Sequence, residues 1–439
     1  MREMGSLIKF FKNNLWRWGG KRRAKDYLLA LDIGTEFVKA VIFRAESGFF
    51  DDQTEDQGIV VGVGRAKQSS GHMFAGAVAD IEGVASSCQR AINRAVKMAR
   101  ITPKKAVIGA AGEFIKGATT DFVCQREKPE EEIDLSELKN IIQKAQWKAF
   151  NQVRAQLAWE TGRSEIEIRL VNALITEIRI DGYQVTNPLD FQGKEIFISI
   201  FNVYAPMVHL RALESIASKL NLDLLSVAAE PYALTKLSGF NQKSGAIFID
   251  IGGGTTDVAL ARQGRVEGIK SFALAGRTFT KRLSSALGLN FAEAEEVKIR
   301  YSQKKLSLGV RRKIRQILKK DIEIWLSGVE IVLEEFGQTE YFPSAIYLCG
   351  GGSLLSGIKN ILSKKVASDE WLKKFPFSQM PQVNFITPDQ IINITDQTNI
   401  LEGPENITPL ALAGLTLEIS TDKKKVLPPI LRRVVRMMR

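Results

Sequence analysis

Twice in this chain an apolar, β-rich run ends on an acid, turns through glycine and resumes as a strand. The fuller copy is Asp250-Ile-Gly-Gly-Gly-Thr-Thr-Asp257, with Ala246-Ile-Phe-Ile ahead of it and Val258-Ala-Leu-Ala261 behind. The earlier copy runs from Tyr27-Leu-Leu-Ala-Leu-Asp32 through Ile33-Gly-Thr-Glu-Phe-Val-Lys39 into Ala40-Val-Ile-Phe43. Short apolar runs bounded by turn residues predict buried strands, so each copy predicts a hairpin. Glycine has no Cβ to hold a ligand off, so tip amides can reach phosphate oxygens. A carboxylate at the strand end can hold a hydrated Mg2+. Asp32 and Lys39 put a Mg2+-directed acid and a phosphate-directed cation at one tip. Two such hairpins predict two related lobes clamping a nucleotide. A third cluster, Leu348-Cys-Gly-Gly-Gly-Ser353, follows the apolar Ala345-Ile-Tyr347 and is placed to pass under a base or sugar. One glycine-rich turn marks an ordinary turn more often than a site. Three in this order, each after a strand and two carrying acids, argue for a site.

The order phosphate loop, phosphate loop, adenosine loop resembles the actin-like ATPase superfamily, and within it the FtsA family of bacterial cell division. The resemblance runs from about residue 27 to 417. Its carriers include Asp80-Ile-Glu-Gly-Val84, Asn187-Pro-Leu189, Ala294-Glu-Glu-Val-Lys298 and Thr408-Pro-Leu-Ala-Leu-Ala-Gly-Leu415. It implies an α/β, actin-like ATPase fold: two RNase H-like lobes around a nucleotide cleft, with an inserted α+β 1C (SHS2) domain. The expected organisation places lobe 1A at 26–102 and 204–240, 1C at 103–203, lobe 2A at 241–275 and 344–420, and subdomain 2B at 276–343. Tails occupy 1–25 and 421–439. Within the insertion, strands are expected at 105–109, 119–124, 166–171, 173–180 and 196–203, with a long helix from 135 to about 161. Without a convergent catalytic set, the insertion reads as a protein-contact module.

Charge separates the body from its ends. The net charge is +12, yet residues 1–25 hold eight Lys/Arg against one acid and residues 423–439 hold seven against none. Removing that excess of 14 leaves the body near −2, which argues against a folded surface that grips nucleic acid. The helical region 276–343 is basic in places (Lys304, Lys305, Arg311, Arg312, Lys313, Lys319, Lys320), but acids follow it and a solvated face is the expectation. Three scattered cysteines fit a reducing compartment. Two histidines leave no histidine metal site or triad to expect. No run of about 18 apolar residues predicts a transmembrane helix, and the N-terminus lacks a secretory h-region.

After Pro428-Pro429, which suits a helix start, Ile430, Leu431, Val434, Val435, Met437 and Met438 fall on one arc at helical spacing. Arg432, Arg433, Arg436 and Arg439 fill the other side. An apolar face backed only by arginine predicts an interfacial membrane helix over 428–439, and anionic lipid adds about 1 kcal/mol per basic group. FtsA-like proteins carry such a helix in this place. Residues 4–18 repeat the pattern with Met4, Leu7, Ile8, Phe11, Leu15 and Trp18. They read equally as a second anchor or as a helix folded onto the body or a partner. Two weak anchors together bind far more firmly than one.

ATP carries about four negative charges, so its site needs backbone donors, a cation and Mg2+. Gly34, Thr35, Gly252, Gly253, Gly254 and Thr255 are the expected donors, and Lys39 the expected β/γ-phosphate cation. Asp32 and Asp250, helped by Asp257, are the expected Mg2+ residues. The resemblance assigns Glu295 and Lys298 to ribose and adenine, and Gly350, Gly351, Gly352 and Ser353 to the adenosine side. It places Glu230 where hydrolysing relatives hold the attacking water, so Glu230 and Asp250 are the candidate catalytic residues. A helix N-terminus beside Pro231 explains Glu230 equally well. The family further implies short membrane-bound filaments, the C-terminal peptide of the tubulin-like FtsZ on 2B, downstream division proteins on 1C, and a peripheral place on the cytoplasmic face at the division site. Two rival readings remain: a PilM-like platform of type IV pili or secretion, which shares the insertion, and a metabolic kinase on the same fold.

Overall fold

The computed structural model describes residues 27–46, 57–161, 167–237, 240, 244–262, 265–337 and 341–421. The first sheet is built on β1 (Tyr27–Ile33), whose side chains are almost all buried. It pairs antiparallel with β2 (Phe37–Glu46), which pairs antiparallel with β3 (Gln57–Lys67). On its other side β1 runs parallel to β6 (Lys105–Ala110), and β6 parallel to β11 (Asp223–Ala229). A short β-hairpin, β4 (Met73–Phe74) and β5 (Ala77–Val78), stands apart.

The second sheet repeats this plan. Its centre is β12 (Ala246–Ile251), antiparallel to β13 (Thr256–Arg262), which is antiparallel to β14 (Arg265–Phe272). On the far side β12 runs parallel to β15 (Ala345–Cys349), and β15 parallel to β16 (Gln382–Phe385). Numbering the core strands of each lobe from one, both sheets read 3-2-1-4-5. Strands buried on both faces must be apolar throughout, which is why Tyr27-Leu-Leu-Ala-Leu and Ala246-Ile-Phe-Ile read as unbroken runs.

Helix α1 (Ile81–Ala99) covers the first sheet. Asp80 caps it by accepting from the Gly83 amide at 3.1 Å. The insertion follows, with β7 (Lys116–Gln125), β8 (Ile168–Ile180), β9 (Tyr183–Gln184) and β10 (Glu195–Pro206) under the long helix α2 (Leu135–Thr161). Arg126, buried at the mouth of this unit, holds Glu137 through Nε and a terminal nitrogen at 2.7 and 2.8 Å. The chain returns through α3 (Met207–Lys219) and β11 to the short α4 (Glu230–Thr235). Three helices follow, α5 (Gly276–Leu287), α6 (Phe291–Ser302) and α7 (Leu308–Glu335). They share a core with the second sheet in which Phe279 and Trp325 are fully buried. Then come α8 (Ile358–Val366), α9 (Asp369–Lys374) and α10 (Ile407–Thr421).

Three expected boundaries move. The strand expected at 105–109 inside the insertion belongs to the first sheet, because Ala106–Ile108 pair with Leu29–Leu31. The segments expected at 166–171 and 173–180 are one strand, β8, kept continuous against β10 by register shifts. Residues 394–420, expected with the second lobe, lie with the first. Strand β17 (Ile394–Asp396) extends that sheet beside β3, and α10 packs on β1, β2 and β6. The insertion is also tied to the second lobe: Gly117 and Ala118 of β7 pair with Ile269 and Gly268 of β14, which makes one nine-stranded sheet. The anchors expected at 4–18 and 428–439 lie outside the described residues. Among the described residues no helix is long and apolar enough to cross a membrane.

Candidate functional site

The β1–β2 and β12–β13 hairpins meet tip to tip. A Cβ added to Gly254 would lie 2.7 Å from Thr35 Oγ1, and one added to Gly253 would lie 2.9 Å from Glu36 Cβ. Behind this contact one cavity of about 430 Å3 lies between the lobes, within the size range of small-molecule sites. Asp32, Gly34, Thr35, Lys39, Glu230, Asp250, Gly252, Gly253, Thr255, Asp257, Glu295, Lys298, Gly350, Gly351 and Gly352 line it. Residues read from three distant glycine clusters therefore share one space.

Two expected residues stand elsewhere. Gly254 faces Thr35 and is outside the lining, and so is Ser353. The Ser353 hydroxyl is buried and donates to the Gly350 carbonyl at 2.7 Å, tying the turn to itself. The tip amides divide by role. Gly34 donates to the Phe37 carbonyl at 3.1 Å and Gly252 to that of Thr255 at 2.9 Å, so both close their turns. Among the described residues the amides of Thr35, Gly253 and Thr255, all in the lining, have no protein partner, which makes them candidate donors for a phosphate.

Charge in the cavity is unbalanced. Lys39 Nζ sits 2.9 Å from Asp32 Oδ2, with both side chains largely buried. Asp250 Oδ2 accepts from the Thr408 hydroxyl at 2.7 Å. Asp257 accepts from Thr255 Oγ1 at 3.0 Å, from the Gly112 amide at 3.2 Å and from Ser271 Oγ. Glu230, also buried, begins α4 behind the extended Ala229 and beside Pro231. Burial pulls the Lys39 ammonium down, but Asp32, Asp250 and Glu230 outweigh it and hold it above the ordinary lysine value. Burial pushes the Glu230 carboxyl well up, and Asp32, Asp250 and Asp257 push it further against Lys39. Asp250 rises through burial, moderated by Thr408 and Lys39. Asp257 is pushed up to about 6, again by burial first.

Four buried acids, Asp32, Glu230, Asp250 and Asp257, line the cavity, a set that suits a divalent cation. Among the described residues no three acids, histidines or cysteines are grouped to cage a metal directly. A Mg2+ ion brought in with phosphate keeps most of its waters and would need no such cage. Asp32, Asp250 and Asp257 are the residues that would hold it through water.

A pH dependence follows. An acid whose folded-state value is raised favours the folded state below its unfolded value and loses that contribution as pH rises through the folded one. For Asp257 this window runs from about pH 4 to pH 6 and is worth roughly 2 to 3 kcal/mol. The unliganded protein should therefore lose stability across it, while Mg2+ with ATP stabilises only the ionised site. Differential scanning calorimetry should show a larger melting-temperature gain from Mg-ATP at pH 7.5 than at pH 5.5; an equal gain would remove the carboxylates from cation binding.

On the adenosine side, Lys298 is fully engaged. Its Nζ lies 2.8 Å from Glu295 Oε2, 2.9 Å from the Gly276 carbonyl and 2.8 Å from Thr280 Oγ1. It props up the start of α5 from the cavity wall. Gly350 is held in the left-handed region at φ +80°, where a Cβ would lie 2.0 Å from Asp250 Oδ1.

Sequence reasoning missed several lining groups. Arg65 stands directly across from Lys39 in the β2–β3 pairing, its guanidinium 3.5 Å from the centre of the Phe37 ring. Thr408 comes from the far end of the chain. Arg277 and Glu36 close the rim. Strand register and packing reveal Arg65, Thr408 and Arg277, while Glu36 sits in the first hairpin tip and gains its role only from the partner that packing brings to it.

The family whose sequence model matches, Cell division protein FtsA, covers residues 247–411. The Cell division protein FtsA of Pseudomonas aeruginosa is 25% identical over 353 residues, which is 75% of this chain and 78% of that protein. That of Neisseria meningitidis is 25% identical over 361 residues, 77% of this chain and 81% of that protein. Among solved structures, a PilM-PilN type IV pilus biogenesis complex aligns with a TM-score of 0.61 over 89% of this chain and 98% of that one, at 17% identity. The chain has the actin-like ATPase fold, and the resemblance to FtsA carried by its motifs extends over most of its length.

Proposed function

From its likeness to cell-division protein FtsA along three quarters of its length, we propose that this chain is an ATP-binding, membrane-attached adaptor of bacterial division. The observation that carries the reading is the single cavity in which Asp32, Lys39, Asp250 and Asp257 from two opposed hairpins converge. In this reading Thr35, Gly253 and Thr255 offer amides to the phosphates and Lys39 offers its charge. Mg2+ supplies the charge neutralisation the carboxylates call for. Gly350, Gly351 and Gly352 floor the adenosine side.

Nucleotide between two lobes works as a wedge that favours one interlobe angle over others. Polymerisation surfaces that depend on that angle then form with ATP and are lost without it. Glu230 lines the same cavity and is the candidate for orienting an attacking water. Slow turnover suits a switch better than a motor. The tails at 428–439 and 4–18 supply the lipid contact, on the cytoplasmic face at the division site. The 276–343 subdomain takes the FtsZ C-terminal peptide, the insertion takes later division proteins, and nucleic acid is not a partner. The pilus-platform alternative draws on a structural likeness that speaks to the fold alone, and the arginine-backed C-terminus has no role in it.

Co-sedimentation with anionic vesicles tests the proposal. The full chain with Mg-ATP should carry FtsZ into the pellet, deletion of 426–439 should lower lipid binding about tenfold or more, and further deletion of 1–23 should remove the rest. A doubly truncated protein that pellets like the full chain would dismiss both anchors. Recovery of a pilus inner-membrane peptide instead of FtsZ would favour the alternative.

A further inference from the structure

We propose that Glu36 and Arg277 form a latch that holds the two lobes closed over the bound polyphosphate and sets its residence time; the proposal rests on the nucleotide reading above. Glu36 is the last residue of the first hairpin's tip. Arg277 is the second residue of α5, in the other lobe. Arg277 Nε donates to Glu36 Oε2 at 2.9 Å, and a terminal nitrogen donates to the Met73 carbonyl at 3.5 Å. The side chains are only 19% and 13% exposed. Lys67 Nζ adds a weaker contact, 3.7 Å from the other Glu36 oxygen.

Both partners are rigidly mounted. The Gly276 amide donates to the Gly252 carbonyl at 3.1 Å and that of Arg277 to the Gly253 carbonyl at 2.8 Å. The first turn of α5 is thus fastened to the second phosphate hairpin. Gly253 in turn lies against Glu36, as a Cβ there would meet Glu36 Cβ at 2.9 Å. The other ion pairs in the lining, Asp32–Lys39 and Glu295–Lys298, each stay within one lobe. Glu36–Arg277 crosses between lobes at the cavity wall. A charge-assisted bond between pre-positioned groups loses little side-chain entropy on forming. It exists only when the lobes are together, so it stabilises the closed state alone and slows opening. A polyphosphate seated behind the tips leaves only after opening.

The test preloads the full chain with a fluorescent ATP analogue and Mg2+ and follows release on dilution into unlabelled ATP. Glu36→Gln and Arg277→Gln should each release about tenfold faster. The exchanged pair, Glu36→Arg with Arg277→Glu, should release more slowly than either single variant but faster than the parent, because it restores the cross-lobe pair and loses the Met73 and Lys67 contacts. Single variants that release at the parent rate, or an exchanged pair as fast as the singles, would overturn the latch. Should the parent fail to bind the analogue, the nucleotide reading fails, and the latch is still decided by interlobe distance. Spin labels at Gln89→Cys and Gln316→Cys, on a Cys124→Ser background, should report one narrow distance in the parent and a longer, broader one in Glu36→Gln. Identical distributions would sink the latch independently of any ligand.

Discussion

A protein carrying Asp250→Ala should lose binding of a fluorescent ATP analogue by about a hundredfold or more while keeping its fold. Asp250 is the penultimate residue of β12 and lines the cavity with Lys39 and Thr408. Removing it deletes one of the carboxylates through which hydrated Mg2+ would be held. A buried, charge-assisted contact of that kind is worth about 3 kcal/mol, the free energy of a hundredfold change. Stability should change little. The Thr408 hydroxyl loses its acceptor, but a carboxyl that burial had made hard to ionise is also gone. Titration with the analogue gives the affinity, and circular dichroism shows whether the fold survives. Unchanged affinity in a folded variant would refute the site. Thr408→Val separates the two roles of Asp250, because it removes the hydrogen bond and keeps the charge.

The second large effect is on folding. Gly350→Ala should cost roughly 3 kcal/mol or more, from two sources. Its φ of +80° lies in the region that L side chains rarely adopt. Its Cβ would lie 2.0 Å from Asp250 Oδ1 and 2.5 Å from the Ile251 carbonyl. Neither neighbour can yield, since Asp250 is held by Thr408 and Ile251 belongs to the central strand. Gly351→Ala is the matched control: nothing lies within 4 Å of its Cβ, so its melting temperature should stay near that of the parent. Thermal unfolding of the pair by circular dichroism gives the comparison. Equal melting temperatures would mean that the adenosine loop does not press on the second hairpin as described.

Much of the site was legible before any coordinates because strand–acid–glycine hairpins are local objects. Asp32 and Lys39 face each other across β1 and β2 since a tight turn puts residues 32 and 39 in register. The same holds for Asp250 and Asp257. The long insertion helix was read at its observed limits, 135 to 161, from its composition between turn signals. Reasoning failed where a residue's partner was far along the chain. Ser353 looked like part of a ligand loop and instead closes its own turn. Lys298 lines the cavity and also braces the start of α5, a contact no local pattern announces. Residues 394–420 followed the second lobe in sequence, yet their strand and helix complete the first sheet, whose last edge and one face had no local cover.

What the sequence determined by itself is therefore a pair of hairpins, their acids and cation, the repeated lobe they imply, and the placing of the excess charge in the two ends. These are consequences of period-two alternation, of glycine's missing side chain and of spacing over fewer than ten residues. Tertiary structure alone decided that the two tips touch, that Thr408, Arg65 and Arg277 share their cavity, that Asp32, Asp250 and Glu230 all act on Lys39, and that the insertion shares a sheet with the second lobe. The physical reason is range. Turn geometry acts between near neighbours, whereas burial and Coulomb forces depend on which distant segments the packed core brings within a few ångströms.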